Sequence, residues 1–161
     1  MIEFQPYETK HEEACLEVFR SNIPQYFAEK EVPGFLDSLN APDDLYEVCI
    51  LDGEIIGVGG IWVNAERKEA GLCFGMIHRS YHKRGYGKLL LERRLERISD
   101  YDFVEKIIHE TGDGTYQFYE KYGFKTVRID KDPLSIGIDF HQMERANRVE
   151  IATQGMPTDR I

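Results

Sequence analysis

The feature that most constrains this chain lies between residues 77 and 99, where an apolar stretch, a basic loop and an amphipathic helix follow one another directly. The loop carries Gly85 and Gly87. The first turn of a helix has N–H groups without intrahelical acceptors, and its dipole end is positive. Glycines let an anion approach the backbone closely. The order strand, glycine loop, helix therefore predicts a phosphate site. The predicted apolar face of the helix comprises Leu89, Leu90, Leu91, Leu95 and Ile98.

The loop is basic, although the chain as a whole is acidic. Between residues 79 and 88 there are four cations, one histidine and no acid. The chain has a net charge of −9 and a pI of about 5.1. This excess of acid argues against general binding to nucleic acid or to an anionic membrane. It is compatible with a cationic substrate such as an amine.

Two common glycine motifs do not fit the loop. A P-loop requires G-x-x-x-x-G-K-[ST], but His82 stands at its first glycine and Leu89 at its hydroxyl residue. A dinucleotide fingerprint requires G-x-G-x-x-G, but Leu90 stands at its third glycine. The pattern [QR]-x-x-G-x-G fits better, because both of its glycines are present and only its first position differs; it covers His82, Lys83, Arg84, Gly85, Tyr86 and Gly87.

This loop resembles motif A of the GNAT family of N-acetyltransferases, which holds the pyrophosphate of acetyl-CoA. Residues 77–81 resemble the V-x-P-x-Y segment that precedes it. His82 replaces the usual Gln or Arg and Lys83 replaces a frequent Gly, but both substitutes can donate to phosphate. The resemblance implies that acetyl-CoA is bound by Ile77, His82, Lys83, Arg84, Gly85, Tyr86, Gly87 and Lys88.

A second stretch, residues 112–124, resembles motif B of the same family, N-x-x-A-x-x-x-Y-x-K-x-G-F. Four positions match, namely Tyr119, Lys121, Gly123 and Phe124. Gly112 stands in place of the Asn, and Thr115 in place of the Ala. A lone G-x-G pair is weak evidence. Two motifs in this order, separated by one helix and one strand, are strong evidence together.

The length of 161 residues indicates one domain with a sizeable core. Alternation and turn residues predict strands at 2–7, 45–51, 54–63, 69–77, 104–111, 125–129 and 136–143. Further helices are predicted from Thr9, as N-cap, to about Asn22, and over 33–39. Glycines within the third strand predict a bulge or a close neighbouring backbone. The helix between the fourth and fifth strands predicts a parallel pair.

The resemblance implies an α/β fold of GNAT type, a mixed, largely antiparallel sheet flanked by helices. We expect it to span residues 1–146, with residues 147–161 forming a polar C-terminal tail that we expect to be mobile. No stretch is as long as a membrane span, and the N-terminus has no signal-peptide pattern. The three cysteines have apolar neighbours and no C-x-x-C spacing, so we expect them to be reduced and the protein to be cytoplasmic.

Acetyl transfer requires a neutral amine, because only the free electron pair attacks the thioester. Alkylamines have pKa values near that of lysine, so a base or a water chain must take a proton. In the family, a backbone N–H at the end of the strand before the loop polarises the thioester carbonyl, here that of Ile77, Met76 or His78. The motif B tyrosine, here Tyr119, protonates the leaving thiolate. The alternative for Tyr119 is a core aromatic.

The base is the least defined part of the predicted site. Glu69 begins the strand that leads to the loop and is the first candidate. Glu110, His109 and His78 are rivals, a water chain is a further option, and a solvent-facing acid is the alternative for Glu69. Cys73 is not expected to act as a nucleophile, because direct attack needs no covalent intermediate. The sequence contains no H-E-x-x-H motif and no cluster of Cys and His residues, so it predicts no metal site.

The resulting hypothesis is an N-acetyltransferase that moves acetyl from acetyl-CoA to a primary amine by direct attack through a tetrahedral intermediate. We expect the acceptor to be a small molecule or a peptide, and we expect no nucleic acid, membrane or metal as a partner. The resemblance is compatible with a homodimer. A catalytically degenerate CoA-binding sensor or scaffold is the first alternative, kept open by the departures at His82, Lys83 and Gly112. A protein that binds nucleotide phosphates is the second.

Overall fold

The computed structural model describes residues 1–148. Its strands are β1 (Ile2–Pro6), β2 (Leu45–Leu51), β3 (Glu54–Asn64), β4 (Glu69–Ile77), β5 (Lys106–Gly112), β6 (Lys125–Asp130) and β7 (Phe140–Ala146). Its α-helices are α1 (Glu12–Ser21), α2 (Val32–Leu39), α3 (Tyr86–Ser99) and α4 (Tyr116–Glu120). Single turns of 3₁₀ helix lie at Thr9–His11, Glu29–Glu31 and Arg79–Tyr81.

The strands form one sheet in the order β1-β2-β3-β4-β5-β7-β6. The pairs β1–β2, β2–β3, β5–β7 and β6–β7 are antiparallel, whereas β4 and β5 are parallel, with Glu69 opposite Lys106. The helix α3 supplies the long connection that a parallel pair requires. The predicted mixed, largely antiparallel sheet flanked by helices is confirmed.

The described chain divides into two compact units, each with its own buried residues. The first comprises Met1–Trp62 and Leu72–Arg94, and the second comprises Val63–Gly71 and the chain from Leu95 onward. In the first unit, one apolar cluster joins α1 and α2 to the sheet, with the rings of Phe19 and Phe35 stacked 4.8 Å apart. A second cluster comprises the buried residues Cys49, Ile56, Ile77 and Leu90.

Glycines in β3 and β4 give room to close neighbours. A register shift between Cys49 and Ile50 confirms the predicted irregularity beside β3. A Cβ on Gly75 would lie 2.3 Å from Nη2 of Arg94, and a Cβ on Gly59 would lie 3.1 Å from Cδ of the same side chain. Arg94 is 2% exposed, and its Nη1 donates to the carbonyl oxygen of Cys73 at 3.2 Å. The glycines therefore make the space in which a guanidinium is buried.

Several predicted details of the elements are wrong, each for a local reason. Thr9 is not a helix N-cap, because Glu8 donates its N–H to Nδ1 of His11 at 3.0 Å and a 3₁₀ turn precedes α1. Leu89 is 40% exposed and lies outside the apolar face of α3. The last strand begins four residues later than predicted, at Phe140, because residues 131–139 form a loop around the carboxylate of Asp132.

The predicted tail begins with a buried residue. The side-chain amide of Asn147 donates to the carbonyl oxygen of Val104 at 3.0 Å, and its backbone N–H donates to that of Glu105 at 2.9 Å. Asn147 is 6% exposed. Residues 149–161, on which most of the predicted tail falls, lie outside the described residues.

Candidate functional site

The loop after β4 is fastened through the last carbonyl group of that strand. The oxygen of Ile77 accepts a hydrogen bond from Nδ2 of Asn22 at 3.0 Å and lies 2.8 Å from Nε2 of His82. Because a carbonyl oxygen only accepts, the hydrogen of neutral His82 is on Nε2. This side chain, predicted to donate to phosphate, therefore already donates to the backbone. The N–H of His78 donates to the oxygen of Ile56 at 2.7 Å, so this one of the three candidate oxyanion donors is already paired.

The backbone of the loop turns through two left-handed residues. Lys83 has φ +65° and Gly85 has φ +88°. A side chain in this region costs about 1–2 kcal/mol, which Gly85 avoids and Lys83 does not. Position 83 is also the position at which the resembled motif frequently has glycine.

The start of α3 leaves its backbone uncovered. Leu89 donates its N–H to the oxygen of Gly85 at 3.2 Å, so the N–H groups of residues 86–88 form the first helical turn. A Cβ added at Gly85 or at Gly87 would meet no atom within 4 Å. No protein atom therefore fills the space beside these two glycines.

The cations of the loop point into solvent. Arg79, Lys83, Arg84 and Lys88 are all exposed. The guanidinium carbon of Arg84 lies 5.3 Å from the ring centre of Tyr81, and that ring lies 6.3 Å from the ring of Tyr86. The loop thus combines unpaired helical N–H groups with solvated positive charge, as phosphate binding requires.

In the second unit, Tyr119 lies on α4 within an aromatic cluster. Its ring centre is 4.2 Å from that of His109 on β5 and 6.0 Å from that of Phe124. Tyr119 is 8% exposed and His109 is 9% exposed. Gly123 has φ +90°, as expected of a glycine that closes this short helical segment.

The turn between β5 and α4 holds a group of contacts that sequence analysis missed. Nε2 of buried His141 lies 2.8 Å from Oδ1 of Asp113, and its Nδ1 lies 3.0 Å from Oγ1 of Thr126. The ring of His141 stacks on that of Tyr116, with 3.9 Å between centres and 7° between planes. No local pattern could have revealed this group, because Asp113 and His141 are 28 positions apart.

The first candidate base, Glu69, is an ion-pair partner. Its carboxylate lies 3.6 Å from Nζ of Lys106 and 3.9 Å from Nε of Arg67, and its side chain is 17% exposed. Lys106 also lies 3.6 Å from the carboxylate of Glu144. The carboxylate of Glu69 therefore takes part in ion pairs with two cations.

The rival bases differ in their surroundings. Glu110 is exposed and accepts a hydrogen bond from the amide of Gln142. Nδ1 of His78 accepts the N–H of Ser80 at 3.1 Å, and its Nε2 lies 4.0 Å from Glu17. His109 is buried against Tyr119, as described above.

The cysteines are free thiols. Burial raises the pKa of Cys73 to about 11, and the pKa values of Cys15 and Cys49 to about 12. A thiol with such a pKa is protonated at neutral pH and is a poor nucleophile. Within residues 1–148 no group of three His, Cys, Asp or Glu side chains could hold a metal ion. No helix in this part of the chain is long and apolar enough to cross a membrane.

Residues 12–124 match the model of the acetyltransferase (GNAT) family. The chain belongs to this family. The matched segment includes α1 and α2, the loop after β4, and α4 with Tyr119, and it ends at Phe124. No curated protein is similar enough in sequence to match the chain.

Solved structures of other GNAT proteins share the fold at low sequence identity. The ribosomal-protein-S18-alanine N-acetyltransferase from Escherichia coli is 18% identical, with a TM-score of 0.75 over 98% of this chain and 100% of that one. Ard1 from Thermoplasma volcanium is also 18% identical, with a TM-score of 0.74 over 90% and 97%. An aminoglycoside 6'-N-acetyltransferase complexed with coenzyme A is 13% identical, with a TM-score of 0.73 over 93% and 99%.

Proposed function

We propose that this GNAT protein transfers the acetyl group of acetyl-CoA to a primary amine. The observation that carries the proposal is the uncovered start of α3, where a Cβ at Gly85 or Gly87 would meet no atom within 4 Å. Pyrophosphate has the charge for this place, since backbone N–H groups and a helix dipole bind anions. The exposed cations Lys83, Arg84 and Lys88 add attraction to the same charge.

In the proposed reaction, the neutral amine attacks the carbonyl carbon of the thioester. A carbon–nitrogen bond forms, and the carbonyl oxygen becomes an oxyanion that accepts a hydrogen bond from the N–H of Ile77 or Met76. The intermediate collapses, the carbon–sulfur bond breaks, and the thiolate of CoA takes the hydroxyl proton of Tyr119. The amine proton passes to a base or through water.

Glu69 is proposed as the base. We expect Glu69→Gln to lower the rate at neutral pH if this carboxylate takes the amine proton, with acetyl-CoA affinity unchanged. The matched control is Glu144→Gln, which removes another acid that contacts Lys106. Equal rates for Glu69→Gln and wild type would remove Glu69 from the site and leave the water chain or a rival base.

Calorimetric titration with acetyl-CoA tests the proposed cofactor site. We expect micromolar binding by wild type, loss of binding in Gly87→Val, and wild-type binding in the control Gly34→Val. Gly34 lies in a helix with no atom within 4 Å of its Cβ position, as Gly87 does, so both variants add the same group to the same kind of backbone. Unchanged binding by Gly87→Val would contradict the proposed site.

Desulfo-CoA and ATP distinguish the alternatives. If acetyl-CoA and desulfo-CoA bind and a library of amines gives turnover, the acetyltransferase is supported. Binding without any turnover would favour a CoA-binding sensor. Tight binding of ATP without binding of CoA would favour a nucleotide-phosphate protein.

A further inference from the structure

We propose that His141 and Asp113 are positioning residues that hold the β5–α4 turn, and with it Tyr119, in place for proton transfer. The inference rests on the proposed function, because it assigns these residues to the action of Tyr119. Its basis is the set of three contacts around His141, to Asp113, Thr126 and Tyr116. All of them lie within the second unit of the chain.

The helix that carries Tyr119 cannot hold its own position. It has only five residues, Tyr116–Glu120, and isolated helices shorter than about 12 residues are marginal in water. Its placement must therefore come from contacts with neighbouring elements. Tyr116, its first residue, stacks on the ring of His141 at 3.9 Å, and Tyr119 follows three positions later on the same helix.

The turn before the helix is fastened at the same place. Asp113 binds His141 through its carboxylate at 2.8 Å and donates its backbone N–H to the oxygen of Asp139 at 3.0 Å. Thr115 donates its N–H to the oxygen of Gly112 at 3.1 Å and shares a short hydrogen bond with Thr111. Both ends of the turn are thus fixed to strands before α4 begins.

The contacts of His141 survive a change in its charge. A carboxylate only accepts, so Nε2 donates to Asp113 in both the neutral and the charged ring. The hydroxyl of Thr126 donates to Nδ1 of the neutral ring and accepts from Nδ1–H of the charged ring. The groups that face His141 are Asp113 on the turn, Tyr116 on α4, Thr126 on β6 and, through its charge, Asp139 before β7. We call the contacts of His141 with Asp113, Thr126 and Tyr116 the clamp. The clamp therefore does not depend on one protonation state of the ring.

The clamp also gives a reason for the departure at Gly112 from the resembled motif. The motif has Asn there, and a polar side chain at that position could itself fix the turn. Gly112 cannot, and a Cβ there would lie 3.1 Å from Cγ2 of Ile138. In this chain the turn is fixed instead by Asp113 and by His141 on β7.

The experiment is a double-mutant cycle between Asp113→Ala and Tyr119→Phe, read by steady-state kinetics. In the wild-type background we expect Asp113→Ala to lower kcat about tenfold, less than the hundredfold that a 1 Å misplacement can cost. The KM for acetyl-CoA should stay within about twofold, since a positioning residue changes the chemical step and not uniform binding. Asp113→Asn should restore most of the rate, because its amide oxygen still accepts from Nε2.

In the Tyr119→Phe background, Asp113→Ala should lower kcat by less than about twofold, because residues that act through one group are not additive. An equal loss in both backgrounds, or no loss in wild type, overturns the proposal. The matched control is Glu120→Gln, which removes an exposed acid of the same helix and should leave kcat unchanged.

Hydrogen exchange separates failure of the inference from failure of the proposed function. We expect faster amide exchange over residues 113–120 in Asp113→Ala than in wild type, whether or not an acceptor amine is known. Unchanged exchange overturns the clamp. If wild type transfers no acetyl group while Asp113→Ala still exchanges faster, the proposed function fails and the clamp stands as a structural element.

Discussion

Two of the connections that lead from a strand into a helix in this protein are fastened differently. The loop from β4 to α3 is fastened through backbone atoms, chiefly the carbonyl group of Ile77, and leaves its cations in solvent. The turn from β5 to α4 is fastened through backbone hydrogen bonds of Asp113 and Thr115 and, in addition, through side chains, with Asp113 and Tyr116 against His141. A loop held by its backbone can offer its charges to a ligand. A turn that is also held by its side chains fixes the position of the helix after it.

This comparison separates binding from chemistry. Changes in the loop should alter the affinity for acetyl-CoA, whereas changes in the turn and in α4 should alter the rate of transfer. Three variants and one change of salt concentration test whether binding depends on the loop alone and the rate of transfer on the turn and α4 alone.

The largest effect is expected at Gly85. Gly85→Glu should weaken acetyl-CoA binding by at least about a hundredfold, because it places a negative charge at the proposed phosphate site and strains a residue with φ +88°. The control is Gly53→Glu, at a hairpin glycine with φ +84° and no atom within 4 Å of its Cβ position. Calorimetry and thermal unfolding should show similar destabilisation for both variants and loss of binding for Gly85→Glu alone. Loss of binding in both would show that strain, not the site, is responsible.

The next effect is expected at Tyr119. Tyr119→Phe should lower kcat about a hundredfold, the lower limit typical of a lost general acid, and leave the Kd of acetyl-CoA unchanged. Tyr122→Phe removes a hydroxyl from a half-buried tyrosine nearby in sequence and serves as the control. A Tyr119→Phe enzyme with the wild-type rate would assign this residue to the core alone and leave protonation of the thiolate to another group or to water.

A smaller and two-sided effect is expected at Lys83. Lys83→Gly relieves a left-handed residue and should stabilise the fold by up to about 1 kcal/mol, while the lost cation weakens acetyl-CoA binding several-fold. Lys68→Gly is matched, because Lys68 has φ +56° and lies outside the loop. Chemical denaturation should show a similar gain for both variants, and calorimetry a loss of affinity for Lys83→Gly only. Weaker binding in both variants would contradict a local role for the Lys83 charge.

The smallest effect is expected from salt. The loop cations are exposed, so raising KCl from 0.1 M to 1 M shortens the Debye length from about 10 Å to about 3 Å and should weaken acetyl-CoA binding several-fold. The value of kcat at saturating acetyl-CoA should change little, because Tyr119 and His109 are buried. A Kd that does not change with salt would mean that backbone N–H groups, not side-chain charge, dominate the phosphate site.

Sequence alone predicts the parts of this fold that are encoded locally. The bounds of β2 and β4 agree with the structure, because the residues that end each strand are its neighbours in sequence: the Asp52-Gly53 turn follows β2, and the basic glycine loop follows β4. The later start of β7 was not predictable, because Asp132 organises its loop through the N–H groups of residues further along the chain. The exposure of Leu89 likewise depends on the rotation of α3 about its axis, and the sequence of the helix alone does not determine that rotation.

The same distinction applies to the candidate site. The glycine loop is contiguous in sequence, so its residues could be named before the structure was known. The surroundings of Glu69 could not, because Lys106 reaches it through the parallel pairing of β4 with β5. The contact between Asp113 and His141 joins residues 28 positions apart, and no local pattern encodes it.

Because the guanidinium of Arg94 is buried against Gly75, the residue that position 75 can hold depends on the residue at position 94. A Cβ at Gly75 would lie 2.3 Å from that side chain, so alanine at position 75 requires either that the guanidinium of Arg94 moves or that position 94 holds a shorter residue. Across related genes we expect these two positions to covary.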